Sequence, residues 1–210
     1  MNALILKDLL NLRTSLKTLA VMMIIFGIIF IPGKNYIAFY FIMMIFAAML
    51  PSTSISLDEM SKWDKYALTM PITRREIVKS KYILSIILAC ISLIISAVLT
   101  MIFVLAFPEQ IEHSVVSPFY FVIVIFALGP LYGSIILPIL YKFGSVNARY
   151  IMMGVIVIAG SAVLVIFMIL VNVIGSVNPV AATLLPIAVS LAIMFISYKL
   201  SCRIYGRKEF

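Results

Sequence analysis

The chain has 210 residues, 64% of them hydrophobic and 11% charged, with a net charge of +8; its mean hydropathy is +1.21. Soluble domains carry about 25% charged residues, so this composition excludes a water-soluble globular protein and marks a polytopic membrane domain. The positive balance requires no nucleic acid, because a basic belt facing anionic inner-leaflet lipid accounts for it.

Residues 1–17 read as an amphipathic interfacial helix: Ile5, Leu9, Leu12 and Leu16 share one face, and Lys7, Asp8, Asn11 and Ser15 the opposite one. The alternative is that they simply extend the first span. Ile31-Pro32-Gly33-Lys34 offers no small-residue cleavage site, so the first apolar run is expected to stay in the chain. A faint likeness to a phosphate loop at Gly27 to Asn35 fails on spacing and on Asn in place of Ser or Thr.

A hydrocarbon core of about 30 Å needs about 20 helical residues. Six uncharged segments answer to that measure, at about 18–31, 36–57, 82–107, 118–141, 150–174 and 180–198. The first is short, and Lys17 would snorkel to let the helix gain a turn on its amino-terminal side. The predicted fold is a single all-α transmembrane domain with six transmembrane helices. Fifteen of the sixteen Lys and Arg residues fall on one face of this layout and only Lys34 on the other. The positive-inside rule then puts both termini and the 58–81 segment in the cytoplasm.

That segment holds ten of the twenty-four charged residues and the sole Trp. Ser56-Leu57-Asp58-Glu59 reads as a capping box that starts a helix near Leu57. The helix would carry Trp63, Tyr66, Ala67 and Met70 as its apolar side, leave Lys62, Asp64 and Lys65 more exposed, and end at Pro71. Thr73-Arg74-Arg75-Glu76 reads as a second box, starting a helix that runs through Lys79 and Lys81 into the third span. The segment either docks a soluble partner or lies on the headgroups with Trp63 as an interfacial anchor.

All twenty-four charges fall outside the six apolar segments. A secondary carrier needs a buried ionisable group or a liganding broken helix near the midplane, and intramembrane hydrolases need His, Glu or Asp clusters. His113 lies in an outer loop beside Glu109 and Glu112 and reads as solvated, and Cys90 and Cys202 are separated in depth, which disfavours a disulfide. No catalytic residue, metal site or cofactor site is expected. Energy for uphill transport must come from a soluble partner. Gly129 and Gly133 in the fourth span, with Gly154 and Gly160 in the fifth, are helix-packing candidates, between two subunits or within one.

The run Asp58-Glu59, then Trp63-Asp64-Lys65-Tyr66-Ala67-Leu68-Thr69-Met70-Pro71-Ile72-Thr73-Arg74-Arg75-Glu76-Ile77-Val78-Lys79-Ser80-Lys81-Tyr82, resembles the signature of bacterial ABC-2 type permeases, the membrane subunits of ATP-binding-cassette exporters. Leu137-Pro138, Tyr141-Lys142-Phe143-Gly144 and Asn147-Ala148-Arg149-Tyr150 form a second match. The resemblance implies a multi-pass protein of the bacterial plasma membrane, two cytoplasmic ATPases that bind the ATP, and a second permease subunit, identical or homologous. It implies a short cytoplasmic coupling helix between spans two and three. Carried onto this chain, the ATPase-coupling residues are Trp63, Asp64, Lys65, Tyr66 and Met70 at the ATPase surface, with Arg74, Arg75 and Glu76 beyond them and the two arginines at the hinge. An uncharged path suits a hydrophobic or amphipathic substrate, a peptide first among them, better than a small ion. The other readings are a non-transporting membrane scaffold or sensor and, third, a secondary carrier.

Overall fold

The computed structural model of the chain describes residues 2–30, 49–67, 69–106, 129–144 and 179–208. Regular structure among them is entirely helical: α1 Asn2–Asn11, α2 Arg13–Phe30, α3 at residues 49–60, α4 Trp63–Ala67, α5 Arg74–Ala106, α6 at residues 129–144 and α7 Pro179–Gly206. Two described helices are long and apolar enough to cross a membrane, Arg74–Leu99 in α5 and Ile187–Gly206 in α7. Ala3–Asn11 and Arg13–Gly27, bent by 50° from one another, make a third if counted as one span. The expected span at 150–174, most of the one at 36–57, Gly154, Gly160 and His113 lie outside the described residues.

Helix α5 organises the rest. Its start is the Thr73–Glu76 box: the Thr73 backbone N–H donates to Glu76 Oε2 at 2.8 Å and the Glu76 N–H to Thr73 Oγ1 at 3.3 Å, which satisfies donors that a helix start leaves open. With 33 residues it is about 50 Å long, well beyond the hydrocarbon thickness of about 30 Å. Its first turns therefore project from the apolar layer as a stiff continuation of the span.

Two faces of α5 are packed. On one, Leu84 and Leu88 meet Leu12 and Leu50, with Leu9, Leu16 and Leu19 against them; the 9, 12, 16, 19 spacing keeps a leucine seam on one side of α1 and α2 through the bend at Leu12. On the other, Val78 and Tyr82 meet Ile136, Leu137, Leu140 and Tyr205, and Ile77, in line with Leu84 and Leu88, joins the same cluster with Ile55. Lipid is as apolar as leucine, so close backbone approach and interhelical hydrogen bonds hold helices together. Helix α7 turns Ser190, Met194, Ser197, Ser201 and Tyr205 inward and leaves Leu191, Phe195, Ile196 and Leu200 exposed. Tyr82 Oη bonds Ser197 Oγ at 2.7 Å and Ser201 Oγ at 2.8 Å, and Ser197 also donates to the Ser134 carbonyl of α6. A β-carbon at Gly133 would lie 2.8 Å from Ser85 Oγ, and one at Gly129 would lie 3.9 Å from Ala89 Cβ. Gly133 therefore marks a close approach of α6 to α5 of the same chain, whereas the spacing at Gly129 is an ordinary contact distance.

At the basic end, α1, α3 and α5 converge on Lys81, which is 2% exposed. Its ammonium group donates to Asp8 Oδ1 at 2.7 Å, Ser54 Oγ at 2.7 Å and Asp58 Oδ2 at 2.5 Å. An ammonium has three protons, and all three are used. Lys7 closes the ring, 2.6 Å from Asp58 Oδ1 and 3.1 Å from Asp8 Oδ1. Two cations and two carboxylates thus neutralise one another in a buried cluster.

This cluster corrects two expectations. Asp8 does not lie on an outward polar face; it is buried with Leu4 and Leu12, one turn to either side, because its charge is matched by lysines from the same helix and from α5. Nor does a helix begin at Leu57. Helix α3 runs through the Ser56–Glu59 sequence, and Ser56 Oγ donates back to the Ser52 carbonyl at 3.0 Å instead of capping. Continuing the helix keeps Ser54 and Asp58 one turn apart on the side that meets Lys81.

Removing one member of a buried ion pair leaves an uncompensated charge and costs about 3–5 kcal/mol. Lys81→Met should therefore lower the stability of the detergent-solubilised protein by about 3 kcal/mol or more, followed by thermal unfolding, whereas Lys65→Met, at an exposed position, should change it by less than about 0.5 kcal/mol.

Candidate functional site

The segment between α3 and α5 is built on that cluster. Helix α3 ends through Ser61 and Lys62, whose amides reach the carbonyls of Leu57 and Glu59 at 3.1 Å. Lys62 adopts a left-handed backbone with φ of 52°, which turns the chain sharply into the five residues of α4. Beyond it the Thr69 and Met70 amides reach back to the Tyr66 and Ala67 carbonyls at 3.1 and 3.2 Å, and the Met70 carbonyl accepts the Ile72 N–H at 2.7 Å. The expected helix from Leu57 to Met70 is thus a helix end, a turn and a single helical turn, since the polypeptide has to reverse between α3 and α5 in few residues.

The expected apolar side divides into two. Trp63 and Ala67, one turn apart, face inward; Trp63 is half-buried and Ala67 fully buried. Lys7 Nζ stands 3.6 Å from the Trp63 ring centroid, a cation–π contact that binds α4 to α1. Tyr66 and Met70 are 62% and 37% exposed, and Met60 at the end of α3 is 80% exposed. Lys65 is exposed as expected.

Asp64 departs from its expected exposure. It is half-buried and accepts the Tyr205 hydroxyl of α7 at 2.9 Å. Burial pushes its carboxyl above the usual carboxylate range; the Tyr205 hydrogen bond pulls it back in part, and the neighbouring Asp58 raises it further. Arg74, the first residue of α5, reaches across to the end of α7, with Nη1 2.9 Å from the carbonyls of both Gly206 and Lys208 and 3.4 Å from that of Tyr205. Arg75 is exposed, and Glu76 is engaged in the cap at Thr73.

The second motif arrives at the same place. Leu137, Leu140 and Tyr141 are buried at the end of α6, with the Tyr141 ring edge-on to Tyr205 at 5.2 Å. Gly144 has φ of +76°, and a β-carbon there would come within 2.7 Å of Glu59 Oε1, so glycine suits this helix end both by conformation and by space. Residues 145–150 of the motif lie outside the described residues. Between α3, α4, α5 and α6 a cavity of about 10 Å³ is lined by Asp58, Asp64, Lys81 and Tyr141 among others, room for about one water.

Asp8, Lys7, Lys81 and Tyr205 belong to this junction without having been singled out by sequence. Only Lys81 lay inside a recognised motif, and the partners come from opposite ends of the chain. No group of His, Cys, Asp or Glu that could hold a metal occurs among the described residues. What the arrangement offers is mechanical: an exposed Tyr66 on α4, which is fixed by short contacts to α1 and α7 and by apolar packing of Trp63 and Ala67 with Ile55 and Ile77.

A family model described as ABC-2 family transporter protein matches residues 3–206. No curated protein and no solved structure matches the chain. The family match covers both motifs, the leucine seam and the α7 terminus, and with the apolar helices α5 and α7 it makes the protein a membrane transport component: the chain belongs to the ABC-2 family of transporter proteins.

Proposed function

We propose that the chain is the permease subunit of an ATP-driven exporter, with a separate cytoplasmic ATPase docking on the 58–81 segment. The observation that carries this reading is the outward side of the connection around α4, where Tyr66 of α4 stands exposed with Met60 before it and Met70 after it, on a helix tied to α1 by the Lys7–Trp63 contact and to α7 by the Tyr205–Asp64 bond. An exposed aromatic with methionines on a rigid base has the character of an interface anchor. Lys65 and Arg75 nearby can orient a partner by charge. In this reading Tyr66 and Met70 touch the ATPase, and Trp63, Asp64 and Arg74 transmit its displacement.

The working assembly is two such subunits, identical or homologous, with two ATPases and six spans in each subunit. Both termini lie in the cytoplasm of a bacterial cell and the apolar helices in its plasma membrane. The substrate is hydrophobic or amphipathic, with a peptide favoured: α5 and α7 carry no formal charge at 82–106 and 179–198, and walls of that kind suit an amphipathic chain better than an ion that must shed its water.

Two outcomes follow. Tyr66→Ala should weaken ATPase association about tenfold or more, the scale of a lost anchor of about 1.4 kcal/mol, and Trp63→Ala should weaken association and abolish export while membrane insertion stays intact; unchanged co-purification and export in both variants would reject the docking surface. For topology, a membrane-impermeant thiol reagent applied to intact cells should modify Lys34→Cys and leave Tyr66→Cys unmodified until the cells are opened. The reverse pattern would invert the orientation.

A further inference from the structure

The end of α7 is fastened to the very segment that the docking reading gives to the ATPase. The last carbonyls of a helix lack donors within it, and Arg74 supplies them here, bonding Gly206 and Lys208 from the first turn of α5. A cation at a helix C terminus is also favoured by the helix dipole. Tyr205, 1% exposed, adds a second tie by donating its hydroxyl to Asp64 of α4, while its ring rests on Tyr141 of α6. Further along, Tyr82 of α5 bonds Ser197 and Ser201. As numbering rises along α5 it falls along α7, so the pair is antiparallel and is tied at two levels about two turns apart. Two separated ties resist both sliding and rotation of one helix on the other.

We propose that α7 is a second output arm of the coupling segment, with Tyr205 as the positioning residue that makes a displacement of α4 carry α5 and α7 together as one body. The inference rests on the docking reading, since the force is the ATPase's. A push at α4 then reaches the third span directly and the last span through Arg74 and the Asp64–Tyr205 bond. A capping role alone would stabilise the end of α7 and have no bearing on how the two helices move during the ATP cycle.

The test uses the full chain in nanodiscs with its cognate ATPase, Cys90 and Cys202 replaced by Ser, and spin labels at Lys79→Cys in α5 and Arg203→Cys in α7, both exposed positions. Pulsed dipolar spectroscopy should give a narrow Lys79–Arg203 distance within each subunit, the same without nucleotide and with trapped ATP. In the Arg74→Ala/Tyr205→Phe background the distance should broaden or shift when ATP is trapped. A shift in the unsubstituted chain of a helical turn, about 5 Å, would overturn the proposal, and so would a doubly substituted chain indistinguishable from it in both states. Pull-down of the ATPase by the chain without the Arg74 and Tyr205 substitutions separates the two ideas: failure there removes the docking reading and this inference with it, whereas binding with a nucleotide-dependent Lys79–Arg203 distance removes this inference alone.

Discussion

An ammonium group shut away from water costs several kcal/mol in hydration unless its surroundings replace what it has lost, and α5 incurs that cost at Lys81. Its surroundings are three oxygen ligands from two other helices, with Lys7 balancing the second carboxylate. Such a site tolerates little displacement: if α1 or α3 slides along α5, a charge loses its partner. The leucine seam beneath it is by comparison permissive, because leucine side chains can interdigitate in neighbouring registers and lipid competes for the same contacts. The cluster therefore fixes register and the leucines supply contact area. Everything at the basic end of the molecule inherits its position from this point, including Trp63, which rests under Lys7.

From that fixed point the structure behaves as a lever with several attachments. A helix of 33 residues that begins outside the apolar layer and ends within it transmits rotation with little bending. Its outer end is joined to α4, and the connection around α4 exposes Met60, Tyr66 and Met70. Interior ties of hydroxyl to hydroxyl and hydroxyl to carbonyl link α5 to α7 and α6. In the proposed reading the chain contributes force transmission and a path, and the chemistry belongs to the ATPase.

Composition made the membrane class legible, and charge asymmetry supplied the expected orientation. The Thr73–Glu76 cap was legible because a capping box is a local signal, and Thr73, Glu76 and the start of α5 behave as it dictates. The same signal misled at Ser56–Glu59, where four residues of identical pattern lie inside a helix and only the distant Lys81 decides that Asp58 points inward. Asp8 was misread for a related reason: amphipathic periodicity assigns a carboxylate to water by default, and it has no means of knowing that a lysine 73 residues away will meet it. Tyr66 and Met70 were expected beside Trp63 and Ala67 because 63, 66, 67 and 70 share one face of a continuous helix, yet the helix stops at Ala67, so Met70 leaves that face and Tyr66, at its edge, is exposed. Tyr205 and the α7 clamp were invisible to local patterns altogether, since their meaning lies in backbone carbonyls and a hydroxyl finding partners across the fold.

The buried ions couple α1 to α5 energetically rather than merely lying near one another. A double-mutant cycle on Asp8→Asn and Lys81→Met, read from the free energy of denaturant unfolding in mixed micelles, measures that coupling directly. The interaction energy should be at least about 1 kcal/mol, within the range found for residues in contact. Asp8→Asn combined with Lys65→Met should be additive within about 0.5 kcal/mol. Additivity of Asp8→Asn with Lys81→Met would show instead that the helices are held by apolar packing alone and that α1 is free of the lever.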